Sequence, residues 1–399
     1  MKVICDISVT SASWRSASWT PAALFASGGN GAWYDIADPG LIYSDPAGLN
    51  PATINGPVGL VLDKSQGLAL GPELVTNGEF NADASGWTAL NSPLIAVAGG
   101  SATVEQPGTG SGIYQDIPVT SGQMVRVTVR ARRVGSANSF TGIWAMSASD
   151  FSSNRVIQNL STAWAIYVFH IVGSASVCRL YISPQSTGSS VEVDLVSARL
   201  LSGNHAIANT FAKRPMLREN ANGGRYLEFD GIDDQLITPA FELSNTDKVA
   251  LGVGVSKVAD TEAGGMVCNF SSAGLPSFAL QAPAPGNGLT RWSHAGATSS
   301  AQVDLALALG APTVYLAESD LGAPVLSLKS NSAPKASNSG ATGGGTYSLG
   351  RLSIGDVETS TSQPFVGGLH GLVFLDRAVT APEYANLSAY LAAETGVTL

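Results

Sequence analysis

The chain has 399 residues, of which 44% are hydrophobic and 13% are charged, and its formal net charge is −9. This length suits two or three domains, and the composition excludes a charge-rich disordered tail and a coiled coil. Lysine and arginine nowhere cluster densely enough to predict a nucleic-acid interface. The nearest approach is Arg130, Arg132 and Arg133, which we expect on a solvated strand face.

The three cysteines, Cys5, Cys178 and Cys268, are scattered and lack the spacing of metal ligands. We therefore expect small buried side chains rather than a disulfide framework. The N-terminal residues lack the apolar segment of a secretory signal peptide, and no run of 18 apolar residues predicts a membrane span. These features predict a protein that is made in a cytosol and leaves the cell, if it does so, by another route.

The first twenty residues are predicted to form a short N-terminal arm. Residues 3–9 have the composition of a strand, and a serine-rich stretch with Trp14 and Trp19 follows. Such an arm could dock on a neighbouring protein, or it could cover part of the domain that follows it.

Two strand patterns follow in residues 21–70. The first covers residues 32–36 and the second covers residues 57–63. Each is accompanied by a short polar motif, and the motif residues are Trp33, Asp35, Asp38, Asp63, Lys64 and Ser65.

A second set of motifs lies much later, at residues 203–236. Tyr226, Glu228 and Asp230 alternate with apolar residues, which is the period of a half-buried strand, and Asp230 opens a turn at Gly231. The motifs read Gly203-Asn204-His205-Ala206, Arg214-Pro215-Met216-Leu217, and Tyr226-Leu227-Glu228-Phe229-Asp230-Gly231-Ile232-Asp233-Asp234.

Together the two sets resemble the opening of a concanavalin-A-like (LamG-type) β-sandwich, a group that occurs in phage tail proteins and in secreted carbohydrate-binding proteins. In that group the motifs follow one another closely, whereas here more than a hundred residues separate Ser65 from Gly203. The simplest explanation is a second domain at residues 71–202 that interrupts a sandwich made of residues 21–70 and 203–399. Exposed loops tolerate such insertions.

The predicted insertion has its own signature. Residues 124–132 alternate between apolar and polar side chains, as in a sandwich strand. The opening residues Leu74, Asn77, Gly78, Glu79, Phe80, Gly86 and Trp87, and the closing strand at residues 191–197, resemble a jelly-roll carbohydrate-binding module. The resemblance implies a structural Ca²⁺ held by Glu79 and Asp194. The alternative is that both carboxylates are merely hydrogen-bonded at the sheet edge.

A single helix is predicted near the C-terminus, at residues 381–394. Thr380 and Glu383 form a capping box, Pro382 lies in the first turn, and Gly396 ends the helix. The strand before it, residues 365–374, again resembles the end of a LamG-type domain.

The titratable residues do not form a recognisable catalytic pattern. The four histidines, His170, His205, His294 and His370, are isolated, and no nucleophile or zinc-protease motif occurs. Paired carboxylates could hydrolyse a glycosidic bond, and the best pairs are Asp233 with Asp234 and Glu228 with Asp230. Because these lie in a strand and turn, we expect them to accept backbone hydrogen bonds and predict that the protein is not an enzyme.

Sugar-binding proteins stack exposed aromatic rings on the apolar face of a pyranose. In the predicted insertion the best candidates are Trp144 and Tyr114, and in the larger sandwich the best is Trp292, which follows Arg291 in a region rich in glycine and proline. The alternative for each of the three is a position in the core.

The sequence therefore predicts an all-β protein: a concanavalin-A-like sandwich interrupted by a jelly-roll, with one C-terminal helix. The resemblance implies a non-enzymatic phage virion protein, a tail fibre or tail-tip component that binds host-surface polysaccharide. It would be made in the host cytoplasm, form a homo-oligomer such as a trimer, and contact other virion proteins through the N-terminal arm. The alternatives are a purely structural tail or head-decoration protein and a glycan depolymerase.

Overall fold

The computed structural model describes residues 19–108, 110–134, 142–149, 155–184, 188–243, 245–271, 276–306, 309–331, 333–357 and 363–399. The predicted strand at residues 3–9, and nearly all of the predicted arm, lie outside these ranges. Within them, Trp19 packs edge-on against Tyr390, with 6.4 Å between the ring centroids. In the part of the chain that is described, no helix has the length and apolarity needed to cross a membrane.

The strands fall into three segments of the chain, with one short helix at the start. Before residue 70 these are α1 Ala22–Phe25, β1 Gly31–Asp35, β2 Ile42–Tyr43 and β3 Leu60–Val61. The middle segment holds β4 Thr88–Leu90, β5 Leu94–Ala98, β6 Ser101–Glu105, β7 Gly112–Pro118, β8 Met124–Val134, β9 Gly142–Met146, β10 Arg155–Asn159, β11 Ala165–Val172, β12 Val177–Ser183 and β13 Ser190–Leu201.

The third segment begins just after residue 203 and ends in the C-terminal helix. Its strands are β14 Ala206–Ile207, β15 Met216–Glu219, β16 Arg225–Asp230, β17 Leu236–Ile237, β18 Lys248–Lys257, β19 Met266–Ser271, β20 Ser277–Gln281, β21 Thr290–Ala295, β22 Ser300–Leu305, β23 Pro312–Asp320, β24 Val325–Ser330, β25 Ala336–Asn338, β26 Arg351–Ile354 and β27 Val366–Leu375, followed by α2 Ala381–Thr395.

The first and third segments together build one β-sandwich, which we call the large sandwich. Its first sheet has the order β15-β16-β27-β18-β23-β24-β25, with β1 also paired to β27, and its second sheet has the order β2-β3-β14-β17-β26-β19-β20-β21-β22. Side chains from both sheets form a single hydrophobic core. Because β1 and β3 pair with strands that follow residue 203, the large sandwich is interrupted in sequence but continuous in space.

The middle segment forms the small sandwich, which has its own core. Sheet S1 has the order β10-β9-β12-β7-β4, and sheet S2 has the order β11-β8-β13-β6-β5. The predicted alternation in β8 is confirmed, since Val125, Val127 and Val129 are buried whereas Arg126 and Arg130 lie on the outer face. The all-β class with two sandwiches is thus confirmed, while the residue numbers chosen as domain boundaries stay predictions.

The motifs that are separated in sequence meet at Asp63. Its carboxylate accepts hydrogen bonds from the backbone N–H of Trp33 at 2.7 Å and of Asn204 at 2.6 Å. It also accepts from the backbone N–H and the side-chain hydroxyl of Ser65. Its own backbone N–H donates to Nδ1 of His205 at 3.0 Å. The pKa of Asp63 is raised, because the effect of burial exceeds the opposite effect of these hydrogen bonds. The buried carboxylate therefore joins the chain before the small sandwich to the chain after it.

Helix α2 begins at Ala381 as the sequence predicts and ends one residue later than predicted, at Thr395. Thr380 and Glu383 form the capping box, and Gly396 adopts φ +72° at the C-terminal end. Leu387 and Leu391 of the helix pack on the outer face of the first large sheet, together with Trp33 from β1.

Candidate functional site

Three aromatic side chains lie side by side on the outer face of sheet S1. Tyr181 of β12 is directly opposite Trp144 of β9 on one side and opposite Tyr114 of β7 on the other. Because side chains alternate between the faces of a sheet, the neighbours Ile143 and Ile182 point into the core, where both are fully buried. We call Trp144, Tyr181 and Tyr114 the aromatic row.

The aromatic row is largely closed at one end and open at the other. Trp144 and Tyr181 are 8% and 3% exposed and meet edge to face, with 6.3 Å between centroids, whereas Tyr114 is partly exposed. The Tyr181 hydroxyl donates to the carbonyl of Gly110 at 2.7 Å. Nε1 of Trp144 is buried and has no acceptor among the described residues. Tyr114 is therefore the most exposed ring of the aromatic row.

Two arginines cover rings of the aromatic row. The Arg155 guanidinium lies 4.9 Å from the centroid of Trp144, and the Arg179 guanidinium lies 4.0 Å from that of Tyr114. Arg179 is also held by two hydrogen bonds to the Asp116 carboxylate, at 2.7 and 2.9 Å. Arg155 is exposed and can move more easily. The face thus offers ring surface, donors and a carboxylate together, which are the groups that hold a sugar.

Sequence reasoning selected Trp144 and Tyr114 but did not select Tyr181, Arg155 or Arg179. Arg179 and Tyr181 alternate with Cys178 and Leu180 along β12. This alternation could have indicated that the side chains of Arg179 and Tyr181 lie on the face away from the core. Their cross-strand partners follow only from the pairing of β9, β12 and β7, which the sequence does not specify.

The prediction that Trp292 is an exposed platform does not fit the structure. Trp292 lies on β21, is 0% exposed, and donates from Nε1 to the carbonyl of Glu318 at 3.1 Å. Its ring packs against Phe278 with 5.3 Å between centroids. A ring enclosed by the core of the large sandwich cannot stack on a sugar, so the alternative of a core position is the correct one.

The predicted calcium ligands, Glu79 and Asp194, each make a contact within the chain, and the calcium site stays a prediction. One carboxylate oxygen of Asp194 is bound by the guanidinium of Arg130, and the other is buried without a partner among the described residues. Glu79 accepts a hydrogen bond from the Asn81 side chain at 3.0 Å. Calcium needs six to eight oxygen ligands, and these contacts resemble the alternative of carboxylates hydrogen-bonded near the sheet edge.

The carboxylates proposed as catalytic pairs hold the turn after β16. Carboxylate oxygens of Asp230, Asp233 and Asp234 lie within 4.8 Å of one another. Asp234, 5% exposed, accepts from the backbone N–H of Asp230 at 3.0 Å, and Asp230 accepts from that of Ile232 at 2.8 Å. Burial, with a smaller contribution from the nearby acids, raises the pKa of Asp234 to about 6. Glu228 is separately bound by Arg218 at 2.6 Å.

The histidines are buried, and two of them lie near the junction of the sandwiches. Burial lowers the pKa of His170 to about 4 and that of His205 to about 3. Burial likewise lowers the pKa of His370 to about 4. His294 is bonded to the hydroxyl of Ser319. These contacts agree with a packing role for each ring.

Comparisons with known proteins give only distant structural similarity. A scan against protein-family models and a search of curated proteins found no match. A SAP-like pentraxin from Limulus polyphemus is 13% identical, covering 38% of this chain and 76% of that chain at a TM-score of 0.32. A tandem CBM22 domain of Paenibacillus barcinonensis Xyn10C is 10% identical, covering 76% and 98% at 0.31. Mouse laminin alpha1 domains LG4-5 are 12% identical, covering 74% and 96% at 0.29. These values assign no function to the chain.

Proposed function

We propose that the protein is a non-enzymatic phage virion component, in a tail fibre or tail tip, that binds host-surface polysaccharide through the outer face of sheet S1. The observation that carries the proposal is the aromatic row, in which three rings on adjacent strands lie beside Arg155, Arg179 and Asp116. Ring surface next to hydrogen-bonding groups suits a pyranose. The phage context rests on the motifs in the sequence.

A non-enzymatic role is supported by the contacts of the acidic residues. Asp230 and Asp234 accept backbone hydrogen bonds in a turn, and Glu228 is engaged by Arg218. A glycosidase needs one carboxyl free to donate a proton and a second free to act as base or nucleophile. A depolymerase would release new reducing ends from the polysaccharide, and we expect none.

A purely structural role in the particle is the second candidate. It is favoured by the burial of the aromatic row, because Trp144 and Tyr181 are 8% and 3% exposed and Arg155 covers the indole. In this case the two sandwiches would serve assembly with other virion proteins, and no sugar would compete for the surface.

The test is adsorption of the purified chain to intact cells and cell-surface polysaccharide of candidate hosts. We expect saturable binding that free sugar competes away. Tyr114→Ala should weaken binding about fivefold to tenfold, since a ring contact contributes roughly 1 kcal/mol. The matched control is Phe211→Ala, because Phe211 is an exposed ring (70%) under an arginine, Arg214, at 5.2 Å in the large sandwich.

Three outcomes separate the candidates. Binding that Tyr114→Ala weakens and Phe211→Ala leaves unchanged supports the proposal. The absence of binding to every host that the parent particle adsorbs to would overturn it in favour of the structural role. Release of reducing ends by the wild-type chain would establish the depolymerase instead. Sedimentation analysis of the same sample measures whether the expected trimer forms, and a trimer would strengthen weak single-site binding through avidity.

A further inference from the structure

A groove lies on the outer face of sheet S2, on the side of the small sandwich opposite the aromatic row. It has a volume of about 570 Å³, within the range of roughly 300–1,000 Å³ common for small-molecule sites. One wall is the chain at residues 70–81, which runs beside β13. The backbone N–H of Leu74 donates to the carbonyl of Ala198 at 3.0 Å, and that of Val196 donates to the carbonyl of Gly78 at 2.8 Å. The floor includes Arg126 and Thr128 of β8. We call this the arginine groove.

Most arginines of this face have a carboxylate partner, and Arg126 has none. Arg130 pairs with Asp194, Arg132 pairs with Glu192, and Arg199 pairs with Glu73 at 3.2 Å. For Arg126 no acid lies within ion-pair distance and no hydrogen-bond acceptor is present among the described residues.

The surroundings of Arg126 make the missing acidic partner unusual. Its direct cross-strand neighbours are Arg199 on β13 and His170 on β11, so a second positive charge lies beside it. Like charges in opposite positions destabilise a sheet. Arg126 is partly buried, and its Nε atom is fully buried without a partner. A buried cationic donor without an acceptor is costly and calls for a compensating group.

Glu73, which also lines the groove, cannot supply this compensation. One carboxylate oxygen accepts from the backbone N–H groups of Leu74 and Val75 at 3.1 Å each and of Ala198 at 2.8 Å. The other accepts from the Ser197 hydroxyl at 2.6 Å and from Arg199. Because these contacts use both oxygens, Glu73 is fixed beside β13, and no described residue supplies a paired carboxylate for Arg126.

The rest of the lining indicates what else the ligand carries. Thr128, Asn81 and Glu79 face the groove together with Leu70 and Val75, so hydroxyl partners and an apolar wall are both available. Glu79 would repel a ligand whose negative charge is spread along its length. A single carboxylate joined to several hydroxyls therefore fits better than a chain of phosphates or sulfates.

We propose that the arginine groove binds an acidic sugar, with the carboxylate of a hexuronic acid unit accepting hydrogen bonds from Arg126. Arginine binds carboxylates with planar, charge-assisted hydrogen bonds. This site is separate from the aromatic row and extends the proposed function, since it adds a second binding surface and names a sugar class. The two surfaces are on different sheets, so their tests are independent.

The experiment compares a hexamer of otherwise neutral sugars that carries a single galacturonic acid unit with its methyl ester, by isothermal titration to the full chain. The ester keeps the hydroxyls and removes the charge. We expect the acid to bind about tenfold to a hundredfold more tightly than the ester, as for a hydrogen bond to a charged group. Arg126→Met, which keeps the length of the aliphatic stem, should abolish this preference. The control Arg132→Met lies on the same face of β8 beyond the groove and should retain it.

Several results would overturn the proposal. These are no binding of the acid hexamer, equal binding of acid and ester, or an unchanged preference in Arg126→Met. If Tyr114→Ala weakens the hexamer but Arg126→Met does not, the sugar binds at the aromatic row and the groove is not a site. Sodium acetate at matched concentration should not displace the hexamer, and displacement would reduce the site to one for free carboxylates. Thermal shifts of the wild-type chain with acid and with ester repeat the test if a variant fails to fold.

Discussion

Acidification should weaken the junction between the two sandwiches through His170. Its backbone N–H donates to the carbonyl of Ala47 at 2.7 Å, and ring atom Nδ1 lies 3.3 Å from the same oxygen. The ring meets Tyr43 edge-on at 6.0 Å. Tyr43 and Ala47 belong to the large sandwich, so His170 of β11 contributes both its backbone and its ring to this junction. The charged groups around it are Arg126, which lowers its pKa, and Asp45, which raises it.

The magnitude follows from the lowered pKa. Burial takes the pKa of His170 from 6.5 to about 4. Between pH 6.5 and pH 4 the unfolded chain binds a proton at His170 that the folded chain does not bind. The contribution of the neutral ring to stability is therefore complete above pH 6.5 and is lost as the pH falls towards 4. For this one group the free energy of unfolding should drop by about 2 kcal/mol between pH 7 and pH 5.

The assay is urea unfolding followed by tryptophan fluorescence at pH 7 and pH 5, for wild type and His170→Asn. The asparagine amide can replace the Nδ1 donor but does not titrate. In His170→Asn the free energy of unfolding should therefore fall by about 2 kcal/mol less between pH 7 and pH 5 than in the wild type. Any destabilisation by the smaller side chain is the same at both pH values and does not affect this difference. His370 titrates in both proteins and cancels in the comparison, whereas part of the lowered pKa of His205 comes from the charge of His170, so the difference includes this coupling. An equal loss in the two proteins would refute the assignment of this acid sensitivity to His170.

Three further predictions concern stability. Arg377 holds the pKa of Glu383 at about 2, so Glu383→Gln should destabilise by about 1–3 kcal/mol at pH 7 and by less than half of that at pH 3 in urea titrations; equal effects would contradict this. Burial raises the pKa of Asp234 to about 6, so its ionised form is unfavourable above that pH. Asp234→Asn should therefore stabilise by about 1–3 kcal/mol at pH 7 and not at pH 4 in thermal unfolding, whereas a gain at both would rule out titration as the cause. Trp292→Phe should cost about 1–3 kcal/mol through lost packing and an unpaired Glu318 carbonyl, yet leave polysaccharide binding intact; weaker binding at unchanged stability would show a direct role.

The sequence predicted those elements whose signal is local. The alternation in β8 and β16 and the cap of α2 by Thr380 and Glu383 each depend on a few neighbouring residues, and each is confirmed. The interruption of the large sandwich was predictable because its motifs, such as Asp63 and His205, are recognisable on both sides of the middle segment.

The candidate sites were less predictable because they depend on strand pairing. Trp292 follows a region rich in glycine and proline, which suggests a loop, yet it lies on β21 with alternate residues buried. Asp194 has the residue type of a metal ligand, but the pairing of β13 with β8 brings Arg130 beside it. Arg126 carried no signal at all, because the absence of a partner is a property of the folded surroundings.

The chain passes between the two sandwiches twice, at residues 69–71 and at residues 200–202, and these two segments are hydrogen-bonded to each other. Leu70 forms a β-bridge with Leu201, the backbone N–H of Gly71 donates to Leu200 at 2.9 Å, and that of Ser202 donates to Ala69 at 2.9 Å. Any compact domain whose ends lie about one strand spacing apart, roughly 5 Å, could be inserted between these two crossings without disturbing the pairing of β3 with β14. Recombination at this point would exchange the aromatic row and the arginine groove in one event and leave the strand pairing of the large sandwich unchanged.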